Sequence, residues 1–191
     1  MGPTGGPDRT GLIRLLEPLV MPERKIRYLG DPILKTAAAP VTRFGKSLQA
    51  LIDDLMDTVD LPGRAGLAAP QIGVGLRAFS YKIDKNRGYV LNPELLEVSG
   101  AQEGDEGCLS VPDLYFPTPR RMSVTVRGVD VRNEPVTVSG REEMARCLQH
   151  EVDHLDGILY LDRLDAATRR RAMRAVRESS WFLPAGSRMM R

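Results

Sequence analysis

The segment HEVDH, residues 150–154, sets two imidazoles four residues apart, and these are the only histidines in the chain. One helical turn separates them, so both project from the same face and can hold one divalent ion, with Glu151 where such motifs carry a general acid/base. The plainer reading, two structural histidines that fall four apart by chance, does not account for Glu151 or for the helical pattern around it. A catalytic metal normally takes three protein ligands and keeps one open position. With no third histidine, the remaining ligand must be a cysteine, an aspartate or a glutamate. Cys108 is the best candidate: it sits in EGCLSVP, residues 106–112, where Gly107 and Pro112 suggest a turn able to present a thiolate. Against this stands the usual state of a free cysteine, a small buried hydrophobe. Cys147 as a fourth ligand would close the site, but it lies seven residues from His154. That is roughly 10 Å along a helix, too far for a short thiol, so Cys147 is expected to line the pocket or to be core.

This chemistry needs a helix beneath HEVDH and a scaffold that brings residue 108 to it. Met144, Leu148, Val152 and Leu155 form an apolar stripe ending at Gly157, and Ser139 with Glu142 reads as a capping box at its start. An earlier helix is marked by Leu48, Leu51, Ile52, Leu55, Met56 and Val59 and stopped by Pro62 and Gly63. A third is expected over about 166–178, with Ala172, Met173 and Val176 on one side and Arg170, Arg174 and Arg177 on another. Residues 77–83, 88–91, 122–127 and 135–138 read as strands, and 158–161 as a further short one. Runs of strands followed by a packed helix, without strict alternation, predict an α+β fold: short, mostly antiparallel strands around a central helix carrying HExxH, plus an N-terminal and a C-terminal helix.

With 191 residues and 42% hydrophobic content the chain can close one sizeable core. The division expected is a disordered or loosely ordered tail over 1–24, a catalytic domain over 25–164 and a basic helix and tail over 165–191. That last segment holds seven arginines against two acidic residues, a balance of +5 that leaves −3 on the rest of a chain carrying +2. Two cysteines argue against a disulfide-stapled secreted scaffold and for a cytosolic setting. No window approaches a membrane span, and Gly6 stands where a myristoylation motif needs Ser or Thr.

Taken with GLAAPQIG at 66–73, the segments EGCLSVP and HEVDH resemble the three signature motifs of the peptide deformylases, in order and at comparable spacing, over about 26–164. The resemblance implies hydrolytic removal of the formyl group from N-terminal formyl-methionine of new polypeptides. It implies Cys108, His150 and His154 as metal ligands, Glu151 as acid/base, and Gln71 with the backbone amide of Leu109 as oxyanion donors. It further implies that Gly66, Ala65, Glu106, Gly107 and Cys147 meet the substrate, Gly66 lying on a strand that pairs with its backbone. Ferrous iron is the metal implied, with Zn2+, Ni2+ or Co2+ able to occupy the site, and docking of the basic C-terminal helix at the ribosome is in keeping with it. One departure is Arg64, where the family pattern usually has glycine. The rival enzyme is an HExxH zinc peptidase with Glu178 as third ligand, a reading that leaves EGCLSVP without a role. A rival of another class is an RNA-binding module using Arg170, Arg174 and Arg177 on phosphates.

Overall fold

The computed structural model describes residues 24–182, and the expectation for a loose N-terminal tail lies outside them for residues 1–23. Five antiparallel strands form the main sheet: β1 (Gly66–Ala68), β2 (Ala78–Ile83), β3 (Asn86–Ser99), β6 (Ser123–Val129) and β7 (Pro135–Arg141), in the order β1-β2-β3-β6-β7. A separate hairpin joins β4 (Asp105–Cys108) to β5 (Val111–Pro117). Three helices accompany them: α1 (Lys46–Val59), α2 (Glu142–Leu155) and α3 (Ala166–Glu178).

Two-residue alternation assigns each face of the sheet to a helix. Phe79, Val90, Val124 and Val126 face α2 and pack with Met144, Ala145, Leu148, Val152 and Leu155. Ala78, Leu91 and Leu67 face the other way, into a cluster with Leu48, Leu51, Ile52, Leu55 and Val59 of α1. The hydroxyl of Ser80, on the α1 side, is buried and donates to the carbonyl of Leu55 at 2.9 Å, so its burial leaves no polar group unmet. In β1 the same alternation turns Leu67 to α1 and leaves Gly66 and Ala68 toward α2, the helix that carries HEVDH. Leu148, fully buried at the centre, is the kind of residue whose truncation to alanine costs about 2–5 kcal/mol. The third helix covers the hairpin instead, with Ala172 and Val176 packed on Val111, Tyr160, Leu161 and Leu164.

The α+β architecture and all three helices stand as the sequence predicts. α2 ends in a Schellman arrangement, with Gly157 at φ 71°, its N–H on the carbonyl of His154 and the Ile158 N–H on that of Asp153. Two local expectations are corrected. Ser139 does not cap α2: β7 runs on to Arg141, Ser139 pairs with Thr125 across the strands, and their hydroxyls bond to each other at 2.9 Å. Residues 158–161 are not a strand. Leu159, Tyr160 and Leu161 are all buried, leaving no exposed side to alternate with, and the Asp162 carboxylate accepts the Leu159 N–H to close a 3-10 turn at Tyr160–Asp162.

Candidate metal centre

His150 and His154 lie on the buried face of α2 with their Nε2 atoms 3.2 Å apart, and the Cys108 sulfur stands 3.2 Å from His154 Nε2. The three ligand atoms all fall within 4.8 Å of one another. Two nitrogens about 2.0–2.1 Å from one ion at a near-tetrahedral angle stand about 3.3 Å apart, the spacing of the two imidazole nitrogens here, and the sulfur lies as near to one of them. The donor set fits a divalent ion chemically as well. Burial alone would lower the His150 pKa, yet Cys108 and Glu106 beside it hold it well above the usual value, so the pocket favours positive charge at this point. Burial, with His150 adjoining, holds His154 well below the usual value, in the neutral form a metal ligand requires.

Two of the three ligands are oriented by a neighbour, while His154 Nδ1 is buried with no hydrogen-bond partner among the described residues. His150 Nδ1 lies 2.7 Å from the Glu106 carboxylate, which fixes its proton there and leaves Nε2 for the ion. The Cys108 sulfur accepts from the Ser110 N–H at 3.3 Å and from Gln71 Nε2 at 3.6 Å, as a thiolate ligand needs. Gln71 is 1% exposed on the 3-10 turn after β1. Its Oε1 accepts the Ala68 N–H at 2.8 Å, and this bond sets the amide orientation, so the NH2 end points to Cys108 and Ser110.

Glu151 is buried beside the cluster, and its Oε2 has no hydrogen-bond partner among the described residues. Burial pushes its carboxyl up to about 7. Its other oxygen is held close to Gly66, where a Cβ would lie 2.3 Å from Oε1. A cleft of about 400 Å³ opens over the cluster, lined by Ala65, Gly66, Gln71, Glu106, Gly107, Leu109, Cys147 and Glu151 among others. Cys147 stands outside the ligand cluster, its thiol donating to the Ala65 carbonyl at 3.3 Å, with burial and then Glu151 holding its pKa well above the usual value. Gly107 leaves room for the Tyr115 ring, 2.4 Å from where a Cβ would be. Glu106 borders the cleft, but its oxygens are engaged by His150, Arg120 and Arg146. The rival third ligand, Glu178, is exposed on the last turn of α3 and is no part of the cluster.

A chain of buried charges escaped the sequence reading. Arg120 bonds Glu106 through Nη2 at 2.6 Å and Nε at 2.9 Å, and Asp153 through Nη1 at 2.6 Å; Arg163 then reaches Asp153 at 2.5 Å. Burial alone would raise the Glu106 pKa, but the bonds from Arg120 and His150 outweigh it and keep the carboxylate ionised. No sequence signal marked these charges, since Asp153 lies on the opposite side of the helix from the apolar stripe of Met144, Leu148, Val152 and Leu155.

An α+β scaffold with HExxH on its central helix, a cysteine brought to both histidines and a cleft above them defines a metal-dependent hydrolase. The family model for polypeptide deformylase matches residues 23–170. A peptide deformylase of Acidothermus cellulolyticus is 51% identical over 162 residues, covering 84% of this chain and 89% of that protein; one of Parafrankia sp. is 50% identical over 163 residues, with coverages of 84% and 89%. The crystal structure of a peptide deformylase from Legionella pneumophila superposes with a TM-score of 0.74 at 44% identity, over 79% of this chain and 91% of that one. That from Thermus thermophilus gives 0.76 at 38% identity, over 81% and 93%. The chain belongs to the peptide deformylase family: it is a metal-dependent amidohydrolase that acts on formylated peptides.

Proposed function

We propose that this deformylase removes the formyl group from the N-terminal formyl-methionine of nascent polypeptides in the cytoplasm, with residues 25–164 as the catalytic unit. Cys108, His150 and His154 hold one divalent ion, Fe2+ in the cell, with Zn2+, Ni2+ or Co2+ able to replace it. When bound, such an ion supplies Lewis acidity, acidifying water and polarising a carbonyl. The peptide lies along the free edge of β1 at Ala65 and Gly66, adding a strand to the sheet, with Gly107 and Cys147 bordering it. Glu151 takes a proton from the attacking water at Oε2 and returns it to the departing nitrogen. Gln71 Nε2 and the Leu109 N–H donate to the formyl oxygen as it gains charge. Formate and a free amine leave.

The observation that carries this reading is the convergence on one cleft of the sulfur and two imidazoles with a carboxylate oxygen that has no protein partner and an amide NH2 turned the same way. Formate release from formyl-Met-Ala-Ser, measured on anaerobically purified protein against the acetylated peptide, tests it. Turnover of the formyl peptide alone, abolished in Glu151→Gln that still binds metal, is expected; retained activity in that variant contradicts the acid/base role. Metal analysis of the same preparation tests the iron assignment, and loss of activity in air is expected from an accessible thiolate.

The basic segment 165–191 contacts ribosomal RNA through Arg170, Arg174 and Arg177, which are exposed on α3. Co-sedimentation with ribosomes should weaken as salt rises, and replacing the three arginines by glutamine should flatten that dependence. Salt-independent binding would contradict it. Among the described residues no helix is long and apolar enough to cross a membrane.

A further inference from the structure

The ligands come from two elements with no covalent link near the site: Cys108 from the β4–β5 hairpin, His150 and His154 from α2. Something must hold the hairpin on the helix to within tenths of an ångström. Glu106 lies two residues before Cys108 and Asp153 one residue before His154, so each carboxylate shares a backbone with a ligand. Arg120 bonds both, and its side chain is 3% exposed. Its backbone is fixed in turn by paired hydrogen bonds with Gln102 at 2.8 and 2.9 Å. Arg146 adds a bond to Glu106 and Arg163 adds two to Asp153 from the surface, where its side chain is 45% exposed. A guanidinium is a rigid planar fork, so two carboxylates on one fork are held at a set separation. Without that cation the two buried carboxylates repel, the hairpin shifts against α2, and Glu106 loses its hold on His150.

Resting on the assignment of Cys108, His150 and His154 as ligands, we propose that Arg120 is a positioning residue for metal retention, clamping the cysteine-bearing hairpin to the histidine-bearing helix through Glu106 and Asp153, with Arg163 closing the chain at the surface. Outer-shell partners of this kind change metal affinity by about 10- to 100-fold.

The test loads the full-length protein with Zn2+, adds excess chelator and follows the release rate, with thermal midpoints of the metal-free proteins measured in parallel. Arg120→Gln should release Zn2+ about 10–100 times faster than wild type, Arg120→Lys should fall between them, and Arg163→Gln should move the same way by less. Arg132→Gln, which breaks a surface pair with Asp130, should release at the wild-type rate. A merely structural role would lower the metal-free midpoint of Arg120→Gln yet leave release within about twofold of wild type, and that result overturns the proposal. Should Arg120→Gln fail to fold, wild-type release rates in both Arg120→Lys and Arg163→Gln overturn it equally. Cys108→Ser separates the two layers. If it keeps Zn2+ as wild type does, the ligand assignment fails and the clamp with it; if it loses Zn2+ while the arginine variants match wild type, the clamp alone is wrong.

Discussion

Gly66 and Glu151 are packed so closely that a Cβ on the glycine would fall 2.3 Å from the carboxylate oxygen Oε1 and 2.8 Å from its carbon. The strand edge proposed to take the peptide and the carboxylate proposed as acid/base are thus one unit, and no larger residue fits at position 66 without moving the carboxylate. Gly66→Ala should bind metal and fold yet lose about 100-fold in kcat/KM, the penalty expected from a displacement near 1 Å at a reacting group. Formate release and metal content measured together check this; a variant within a few-fold of wild type would show that Glu151 is not held by the strand.

Glu151 also gives a pH dependence with a definite sign. Its folded pKa, pushed up to about 7 by burial, exceeds the unfolded value, so the folded protein binds more protons between the two. The contribution is full below about pH 4 and disappears as pH rises through about 7, worth about 3 kcal/mol at 1.36 kcal/mol per pKa unit. Urea unfolding of the metal-free wild type and Glu151→Gln should therefore diverge by about 2–3 kcal/mol between pH 5 and 8, the variant gaining. Parallel curves would contradict the buried, raised carboxyl.

Gln71 is held from both ends, its oxygen by the Ala68 N–H and its NH2 toward Cys108 and Ser110. In its proposed role as oxyanion donor Gln71 is felt in the transition state, so Gln71→Ala should lower kcat by about 10²–10³ with KM little changed. Steady-state kinetics on formyl-Met-Ala-Ser would show the opposite split if Gln71 served substrate binding instead.

At α3 the Asp165 carboxylate accepts the N–H groups of Ala167 at 2.8 Å and Thr168 at 3.1 Å, satisfying two donors the helix leaves open. Asp165→Ala should lower the urea unfolding midpoint. An unchanged midpoint would mean that water replaces the cap without loss.

The helices and the ligand triad were legible because each leaves a periodic or spaced signature: a stripe at three and four residues, two histidines one turn apart, a cysteine between turn residues. The β4–β5 hairpin was not, although it carries Cys108. Pro112 and Pro117 stand inside β5, where a proline usually argues against a strand, but a two-stranded ribbon has a free edge on which a missing donor costs little. Arg120 was hidden for another reason. One of 27 lysines and arginines, it has no local mark of burial, since its partners lie 14 and 33 residues away and meet it only through the fold. Glu106 was read beside the substrate from resemblance alone; its bond to His150 is likewise a tertiary fact.

X-ray absorption at the edge of the bound metal, on anaerobically loaded protein, bears most directly on how this chain holds its ion. One sulfur at about 2.3 Å, two nitrogens at about 2.0–2.1 Å and a light atom not supplied by the protein are the expected shell. A spectrum without sulfur, or one filled by four protein donors, would contradict it.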